Sequence, residues 1–317
     1  MKALLCKLLM ALAGGLPGVG MAQALPPIYD KAPEAIAPTR TLAEFARGTF
    51  LENIAIDGRG VLFVNSYLEG KVYRIDPAGG RSEWSTVDGT IAGIALNPDG
   101  SAIVSGWIKG KEPAVFRVSA SGRSEVLVRL EGGQFPNGVL RLAADRFLVA
   151  DSYRGVIWEI DAARRSASIW LEDELLARAS PDNPTPAVNG IKLRGGALYA
   201  SNTARQLLVK VPVVAGKAGK PEVVLSSIGL DDFDFDAAGN LYGATHVYNS
   251  LVRVDPQQKV TVLAGLQQGM AGSTAVAVKA TTTGLQAYVV TNGGMSMPPA
   301  GGVQTGKVLR VDLAGRP

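Results

Sequence analysis

Residues 51–76 read LENIAIDGRGVLFVNSYLEGKVYRID. A short apolar segment, LENIAI, is followed by the turn sequence DGRG, a second apolar segment, VLFVN, a polar loop and a third apolar segment, VYRID. Short apolar runs separated by Gly- and Asp-containing turns are typical of antiparallel hairpins. Residues 51–76 therefore predict three antiparallel strands, and the sequence RSEWSTV that follows predicts a fourth strand.

This four-strand pattern returns five more times along the chain of 317 residues. The first strands have equivalent positions at 52, 92, 137, 189, 231 and 274, which are separated by 40, 45, 52, 42 and 43 residues. A four-stranded unit repeated at this period is typical of a β-propeller blade. The longest interval contains an insertion, ASPDNPTP, at 179–186. The sequence predicts an all-β, six-bladed propeller; a β-sandwich or two smaller β domains would not require such even spacing.

The last repeat ends at VLRVDLAGRP and has no fourth strand of its own. The segment TRTLAEFA at 39–46 has strand character, and we expect it to pair onto blade 6 and close the ring with the two ends of the chain. Closure of this kind leaves only short sheet edges. Residues 39–317 are thus predicted to form one propeller domain, preceded by a Pro-rich leader at 25–38.

The N-terminal sequence MKALLCKLLMALAGGLPGVGMAQA has the form of a secretory signal peptide. A lysine precedes an apolar run, and Ala22-Gln23-Ala24 has the small-x-small form of a cleavage site. We predict a signal peptide at 1–24 and a periplasmic or secreted protein; an N-terminal membrane anchor is the alternative, but the run is too short and too interrupted to span a bilayer. Cleavage would remove Cys6, the only cysteine, and with it any thiol chemistry.

The formal net charge of +4 is small, and the lysines and arginines form no cluster. This distribution argues against nucleic-acid binding. The sequence gives no sign of a membrane span or of an oligomer, and we expect a monomer that acts on a small molecule.

The equivalent first-strand positions carry unusual side chains for buried strands. In a propeller the first strand of each blade lines the central channel, and these residues should lie near one mouth of that channel. They are Glu52, Ala92, Asn137, Asn189, Asp231 and Thr274. Asn and Asp are also common turn residues, but two carboxylates and two amides at one position favour a divalent cation. Oxygen ligands of this kind suit Ca²⁺ first, and Zn²⁺, Mn²⁺ or Mg²⁺ as alternatives.

This arrangement resembles the gluconolactonase/regucalcin (senescence-marker-protein) family of six-bladed propellers, over residues 40–315. Glu52 in FLENIAID matches the Glu that opens blade 1 of that family, without its Gly and Pro neighbours. Asn137 in FPNGVL and Asn189 in VNGIKL match the Asn residues that open blades 3 and 4. Asp231 in LDDFDFDAAGNLYGA matches the metal-binding and catalytic Asp of blade 5, although Leu230 and Asp232 replace the usual Pro and Gly.

The resemblance implies a metal-dependent hydrolase of lactones. Its implied metal ligands are Glu52, Asn137, Asn189 and Asp231, with Asp231 or Asp232 as general base. No covalent nucleophile is evident, since the mature chain would have no cysteine and has no Gly-x-Ser-x-Gly motif. Three alternatives remain open: a paraoxonase-like arylesterase, a non-catalytic propeller that binds a ligand or protein, and an isomerase or lyase that uses the same metal site.

Side chains after the second strands should also reach the mouth that holds the metal site. We expect them to bind a polar or sugar-like ring; they are Asn65, Tyr67, Trp107, Asp151, Tyr153, Asn202, His246 and Asn292. His246 is the only histidine and is a candidate acid/base or substrate donor. The sequence GGMSMPPAGGVQ at 293–304 predicts a long loop in blade 6, either a lid that carries Met295 and Met297 or a surface loop.

The acidic sequence DDFDFD at 231–236 contains four carboxylates, and we predict a separate position for each. Asp236 aligns with hairpin residues and should shape the turn DAAG, while Phe233 and Phe235 should pack between blades. Asp232 should lie beside the metal position. For Asp234 a pairing with Lys192 of the neighbouring blade is a hypothesis.

Overall fold

The structure is a computed structural model, and it describes residues 32–313. The predicted signal peptide at 1–24 and residues 25–31 of the leader lie outside these residues. In the described part of the chain there is no helix long and apolar enough to cross a membrane.

Six antiparallel sheets follow one another along the chain, and five of them are built entirely from consecutive strands. Blade 1 contains β2 (Leu51–Ile56), β3 (Leu62–Ser66), β4 (Lys71–Ile75) and β5 (Arg81–Thr86). Blade 2 contains β6 (Gly89–Leu96), β7 (Ala102–Ile108), β8 (Glu112–Val118) and β9 (Ser124–Arg129). Blade 3 contains β10 (Pro136–Arg141), β11 (Arg146–Asp151), β12 (Val156–Asp161) and β13 (Ser166–Glu172).

The second half of the chain repeats this plan. Blade 4 contains β14 (Val188–Arg194), β15 (Ala197–Asn202), β16 (Leu207–Val214), the short β17 (Lys217–Ala218) and β18 (Glu222–Ser226). Blade 5 contains β19 (Phe233–Phe235), β20 (Leu241–Ala244), β21 (Leu251–Val254) and β22 (Val260–Ala264), followed by a 3₁₀ turn at Leu266–Gln268. Blade 6 contains β23 (Ser273–Thr281), β24 (Gly284–Thr291) and β25 (Thr305–Leu313).

The missing strand of blade 6 comes from the start of the propeller. Strand β1 (Thr39–Arg47) pairs antiparallel with β25, so the sheet order is β1-β25-β24-β23. The predicted six-bladed propeller and its closure by the N-terminal strand are therefore confirmed. The preceding leader residues Pro33–Ala37 run parallel to β22 and form three backbone hydrogen bonds with Val262 and Leu263.

Six clusters of the hydrophobic core each lie between two neighbouring blades. Phe147 of blade 3 packs with Ile103 of blade 2, and Phe233 of blade 5 packs with Leu208 of blade 4. Phe233 is fully buried and Phe235 packs at the edge of the same cluster, as predicted for the two aromatics of the acidic run. Because alternate side chains of a strand point to opposite faces, each blade contributes to two clusters.

The innermost strands approach one another through glycines that follow the axial positions 92, 137 and 189. A Cβ atom on Gly93 would lie 2.3 Å from Asn137 O, and one on Gly138 would lie 2.4 Å from Asn189 O. A Cβ atom on Gly190 would lie 2.3 Å from Asp232 Oδ1. The absence of side chains at these positions therefore sets the distance between the strands that carry the axial residues.

Gly138→Ala is expected to lower the free energy of unfolding by about 2–3 kcal/mol, because the new Cβ collides with a backbone carbonyl that cannot rotate away. Gly58→Ala is the matched control: a Cβ atom added there would have no other atom within 4 Å, and the φ of Gly58 is not positive. Chemical denaturation of both variants measures the difference. Equal unfolding midpoints would show that the inner strands can move apart at little cost.

Buried side chains connect each blade to the next. The Asn65 amide donates to Ala92 O (2.6 Å), Ser152 Oγ to Val188 O (2.6 Å) and Ser201 Oγ to Asp231 O (3.0 Å). Thr274 Oγ1 donates to Leu51 O (2.8 Å) and so joins blade 6 to blade 1. These bonds fix the backbone of the axial positions relative to one another.

Candidate functional site

The axial residues lie at interruptions of strand pairing. Register shifts occur between Leu51 and Ile54, between Ile91 and Ile94 and at the equivalent positions of blades 3, 4 and 6. A β-bulge places two residues opposite one and redirects a side chain. The bulges therefore explain how residues 52, 137 and 189 can point toward the channel from otherwise regular strands.

Asp231 contacts two other polar residues of the predicted site. The Asn189 amide donates a hydrogen bond to Asp231 Oδ1, and His246 Nδ1 lies 3.0 Å from Asp231 Oδ2. Asp231 is 4% exposed, so both of its carboxylate oxygens are held by protein groups in a buried setting. The structure thus brings together three of the predicted site residues.

Glu52 faces this group without a hydrogen-bond donor of its own among the described residues. The residue keeps some exposed surface, but protein atoms surround its carboxylate. Burial raises the pKa of Glu52 well above its ordinary value, and the charges of Asp231 and Asp232 raise it further. Neighbouring like charges disfavour ionisation of a buried carboxyl. Asn137 is the fourth predicted ligand, and its amide donates to Ser152 Oγ of the same blade (3.3 Å).

Asp232 forms a separate ion pair beside Asp231. Lys192 Nζ lies 2.6 Å from Asp232 Oδ1, while Asp232 Oδ2 is buried and has no hydrogen-bond partner. Burial raises the pKa of Asp232, and the Lys192 charge opposes that rise. The hypothesis of a Lys192–Asp234 pair is therefore wrong, because Lys192 pairs with Asp232. Asp234 instead accepts hydrogen bonds from the backbone N–H groups of Phe235 and Val278, each at 2.8 Å, and links blade 5 to blade 6.

Lys192→Met is expected to lower the free energy of unfolding by about 2–3 kcal/mol, because it leaves the Asp232 carboxylate buried without its cation. Lys210→Met is the matched control, since Lys210 pairs with Glu222 at 3.1 Å on the exposed surface and should cost less than about 1 kcal/mol. Thermal and urea unfolding measure both. A double variant that adds Asp232→Asn should recover most of the loss; equal effects of the two lysine variants would contradict this account.

A second set of side chains lies at the same end of the blades as the axial residues. Its members lie at or just after the ends of the second strands, one per blade; they are Tyr67, Trp107, Ser152, Thr203, His246 and Asn292. Three of them contact the axial residue of their own blade: Ser152 contacts Asn137 and Thr203 contacts Asn189, both at 3.3 Å, and His246 contacts Asp231. Burial and the charge of Glu52 also raise the pKa of Tyr67. We call these six residues the upper ring.

Four of the residues predicted to bind substrate belong to the upper ring: Tyr67, Trp107, His246 and Asn292. Asn65, Tyr153 and Asn202 do not, because their side chains bind neighbouring backbone. The Asn65 amide bonds Ala92 O (2.6 Å), the Tyr153 hydroxyl bonds Pro184 O (2.9 Å), and the Asn202 amide bonds Leu175 O and Ala177 O (2.9 and 3.0 Å).

Asp151 likewise has a structural environment. Its buried carboxylate accepts hydrogen bonds from Gln134 N (2.9 Å), Phe135 N (2.8 Å) and Trp158 Nε1 (3.2 Å). Asp236, as predicted, holds its hairpin through Asn240 N at 2.8 Å. These two carboxylates shape loops at opposite ends of the blades.

Sequence reasoning missed Ser152 and Thr203 by one residue. In five of the six blades a bulge adds a residue to the first strand, so the end of the apolar run in the sequence does not mark the upper ring. A usable signal was present: positions 67, 107, 152 and 246 each lie fifteen residues after an axial position. Counting from the axial residue would have found Ser152.

The 293–304 loop lies against His246. Asn292 Oδ1 accepts hydrogen bonds from Gly294 N (2.8 Å) and Met295 N (3.1 Å). His246 Nε2 lies 3.0 Å from Asn292 Nδ2 and 3.1 Å from Ser296 Oγ. His246 therefore links this loop, through its two ring nitrogens, to the axial Asp231.

The donor set fits a hard divalent cation. No group of three or more His, Cys, Asp or Glu side chains within residues 32–313 is placed to hold a metal ion by such side chains alone. Glu52 and Asp231, however, place two carboxylates near the axis, and the described residues show no Lys or Arg ion pair with either. Asn137 and Asn189 add amide oxygens. Carboxylates, amides and water are what Ca²⁺ prefers.

The sequence matches no known protein-family profile and no curated protein. Solved structures are similar in fold. A luciferin-regenerating enzyme superposes with a TM-score of 0.66 at 15% identity, over 88% of this chain and 96% of that one. A calcium-binding regucalcin from Agrobacterium tumefaciens has a TM-score of 0.65 at 17% identity, over 90% and 98%.

A gluconolactonase from Xanthomonas campestris has a TM-score of 0.63 at 14% identity, over 87% of this chain and 89% of that one. These neighbours cover nearly the whole propeller, at identities that establish fold alone. The resemblance inferred from four residues in order along the chain is therefore confirmed as one of architecture: the chain has the six-bladed propeller fold of regucalcin and gluconolactonase.

Proposed function

We propose that this protein is an exported hydrolase of lactones or related cyclic esters that works with a divalent metal ion, most simply Ca²⁺. The observation that carries the proposal is the axial carboxylate Asp231, which is buried, held by Asn189 and His246, and faced by the partnerless Glu52. The shared fold with a gluconolactonase and a calcium-binding regucalcin supports it.

Glu52, Asn137, Asn189 and Asp231 would hold the metal, which when bound supplies positive charge for the developing negative charge on the carbonyl oxygen. Asp231 accepts the proton of the attacking water. Asn189 and His246 keep this carboxylate in one orientation, because each donates to a different oxygen. The water oxygen bonds to the carbonyl carbon, the ring C–O bond breaks, and the ring oxygen takes up the proton from Asp231 to give a hydroxy acid.

Asp232 is the second candidate for the general base. Its Oδ2 is free of hydrogen bonds, but Lys192 holds the carboxylate as an ion pair. Asp231 is favoured as the proton acceptor because it occupies the axial position next to Asn189 and His246, whereas Lys192 holds Asp232 to one side. His246 is placed to orient Asp231 through Nδ1, while its Nε2 is held by Asn292 and Ser296 of the adjoining loop.

A panel of lactones and aryl esters, assayed with and without chelator, tests this function. The expected product is the hydroxy acid, heavier than the lactone by one water, and activity should disappear with chelator and return with added Ca²⁺. An unsaturated acid of unchanged mass would instead identify a lyase. A purified protein that binds no metal under excess calcium and hydrolyses nothing in the panel would identify a non-catalytic binding propeller.

The proposed export rests on residues 1–24, outside the described residues. We expect the protein to be recovered from the periplasm or medium with Leu25 as its first residue. N-terminal sequencing of the secreted fraction measures this, and an intact N-terminus in the membrane fraction would favour an anchor.

A further inference from the structure

Five aromatic rings form a continuous arc beside the axial site. Neighbouring ring centroids are separated by 5.5 Å (Phe50–Tyr67), 5.7 Å (Tyr67–Trp107), 4.9 Å (Trp107–Phe135) and 4.8 Å (Phe135–Tyr153). The first ring, Phe50, lies 6.3 Å from the His246 ring in an edge-to-face arrangement. We call these five residues the aromatic arc; it starts next to the polar site and extends over blades 1 to 3.

The arc gives the two sides of the channel mouth different chemical character. Phe50 and Phe135 lie two residues before Glu52 and Asn137, so they are at the same end of the blades as the axial residues. Blades 4 to 6 carry polar groups at this end, namely Asn189, Thr203, Asp231, His246 and Asn292. The side of the mouth formed by blades 1 to 3 thus carries an aromatic surface beside Glu52 and Asn137, and the other side carries carboxylate, amide, hydroxyl and imidazole groups without aromatic residues of the arc.

The aromatic half is held in place by packing. Phe50, Tyr67 and Trp107 form one buried cluster, each less than 10% exposed, and the Trp107 indole N–H donates to Gln134 O at 3.3 Å. Met295 packs on this cluster from the 293–304 loop. That loop starts at Gly293 and Gly294, whose φ values are +74° and +78°. Met295 is a flexible apolar side chain on an adaptable segment, lying on a fixed aromatic surface.

From this geometry we infer that the substrate is a cyclic ester with an apolar alkyl or aryl substituent, rather than a polyhydroxylated sugar lactone. This inference rests on the proposed function. The ester ring lies over the axial carboxylates, and the substituent lies against the aromatic arc in the place of Met295. Sugar hydroxyls in that place would lose water without gaining hydrogen-bond partners. Each buried methylene instead adds about 0.8 kcal/mol of favourable transfer free energy.

Three lactones with the same six-membered ring test the inference: δ-decalactone, δ-valerolactone and glucono-δ-lactone. They differ in carrying a pentyl substituent, none, or several hydroxyls. The kcat/KM for δ-decalactone should exceed that for each of the other two by about tenfold or more, roughly 1.4 kcal/mol. An equal or higher kcat/KM for glucono-δ-lactone would overturn the inference and leave the hydrolase function standing.

Trp107→Ala should reduce the preference for δ-decalactone over δ-valerolactone to less than about threefold, mainly through KM. Trp84→Ala is the matched control, because its indole N–H also donates to a loop carbonyl at 3.3 Å (Ala120 O), at the opposite end of the blades. If Trp107→Ala does not fold, Phe135→Leu at a half-buried position replaces it. If the folded variant of the aromatic arc keeps the preference for δ-decalactone over δ-valerolactone, the inference is overturned.

Binding of lactams separates this inference from the hydrolytic function. The pentyl-substituted six-membered lactam should bind about tenfold more tightly than the unsubstituted lactam in calorimetry. Equal affinities overturn the proposed apolar site. Tighter binding of the pentyl lactam, together with no hydrolysis of any lactone, would support the apolar site and reject the hydrolase.

Discussion

Asp231→Asn is expected to lower kcat/KM for cyclic ester hydrolysis by about 10³-fold or more, with the fold intact. Asparagine keeps the shape of the side chain and one oxygen for hydrogen bonding, but it cannot accept a proton. General-base catalysis alone contributes about 10²–10⁴-fold, and the variant also loses one of the two axial negative charges. Steady-state kinetics on the best lactone of the panel measure the effect, and circular dichroism checks the fold.

Asp236→Asn is the control for this variant, because it makes the same change in the same blade. Asp236 accepts hydrogen bonds from Asn240 N and Nδ2 (2.8 and 2.7 Å) and from the Tyr242 hydroxyl (3.1 Å), all within its own hairpin. Its kcat/KM should stay within about twofold of the parent. If Asp231→Asn retains more than a tenth of the activity, Asp231 is not the proton acceptor and Asp232 becomes the candidate.

The propeller was predictable because its evidence is local and repeated. Turn residues such as those of 57–60 mark each hairpin, and the spacing of positions 52 to 274 sets the number of blades. Closure by residues 39–46 followed from one missing strand. Turns and strand spacing depend on residues that are close in the sequence. Because the same pattern occurs six times, each copy strengthens the prediction made from the others.

The contacts between blades were harder to predict. From the sequence Lys192 could reach either Asp232 or Asp234, and in the structure it pairs with Asp232. Phe50 and Phe135 look like ordinary apolar residues in the sequence, yet they complete the aromatic arc only once blades 1 to 3 are assembled. The position of a side chain that depends on strand register or on a neighbouring blade cannot be predicted from the local sequence pattern.

Glu52→Gln is expected to change stability in opposite directions with and without calcium. In the metal-free protein, burial and the Asp231 and Asp232 charges raise the pKa of Glu52 well above its ordinary value of 4.5. A carboxyl whose pKa rises on folding favours the folded state below its unfolded pKa, and this contribution is lost as the pH rises through the folded pKa. The chelated parent should therefore lose stability as the pH rises above about 4.5, and the variant should lose less.

With calcium in 100-fold excess over its dissociation constant, the parent should gain about 2.7 kcal/mol from binding, or roughly 5 °C in Tm. The variant should lose most of this gain, because one of the two axial charges is gone. Calorimetric scans between pH 5 and 8, with chelator or with calcium, measure both effects. Glu83→Gln is the control, since Glu83 pairs with Lys71 at 2.9 Å on the exposed surface. If calcium raises the Tm of Glu52→Gln as much as that of the parent, the ion binds elsewhere, and the axial carboxylates need another explanation for their burial.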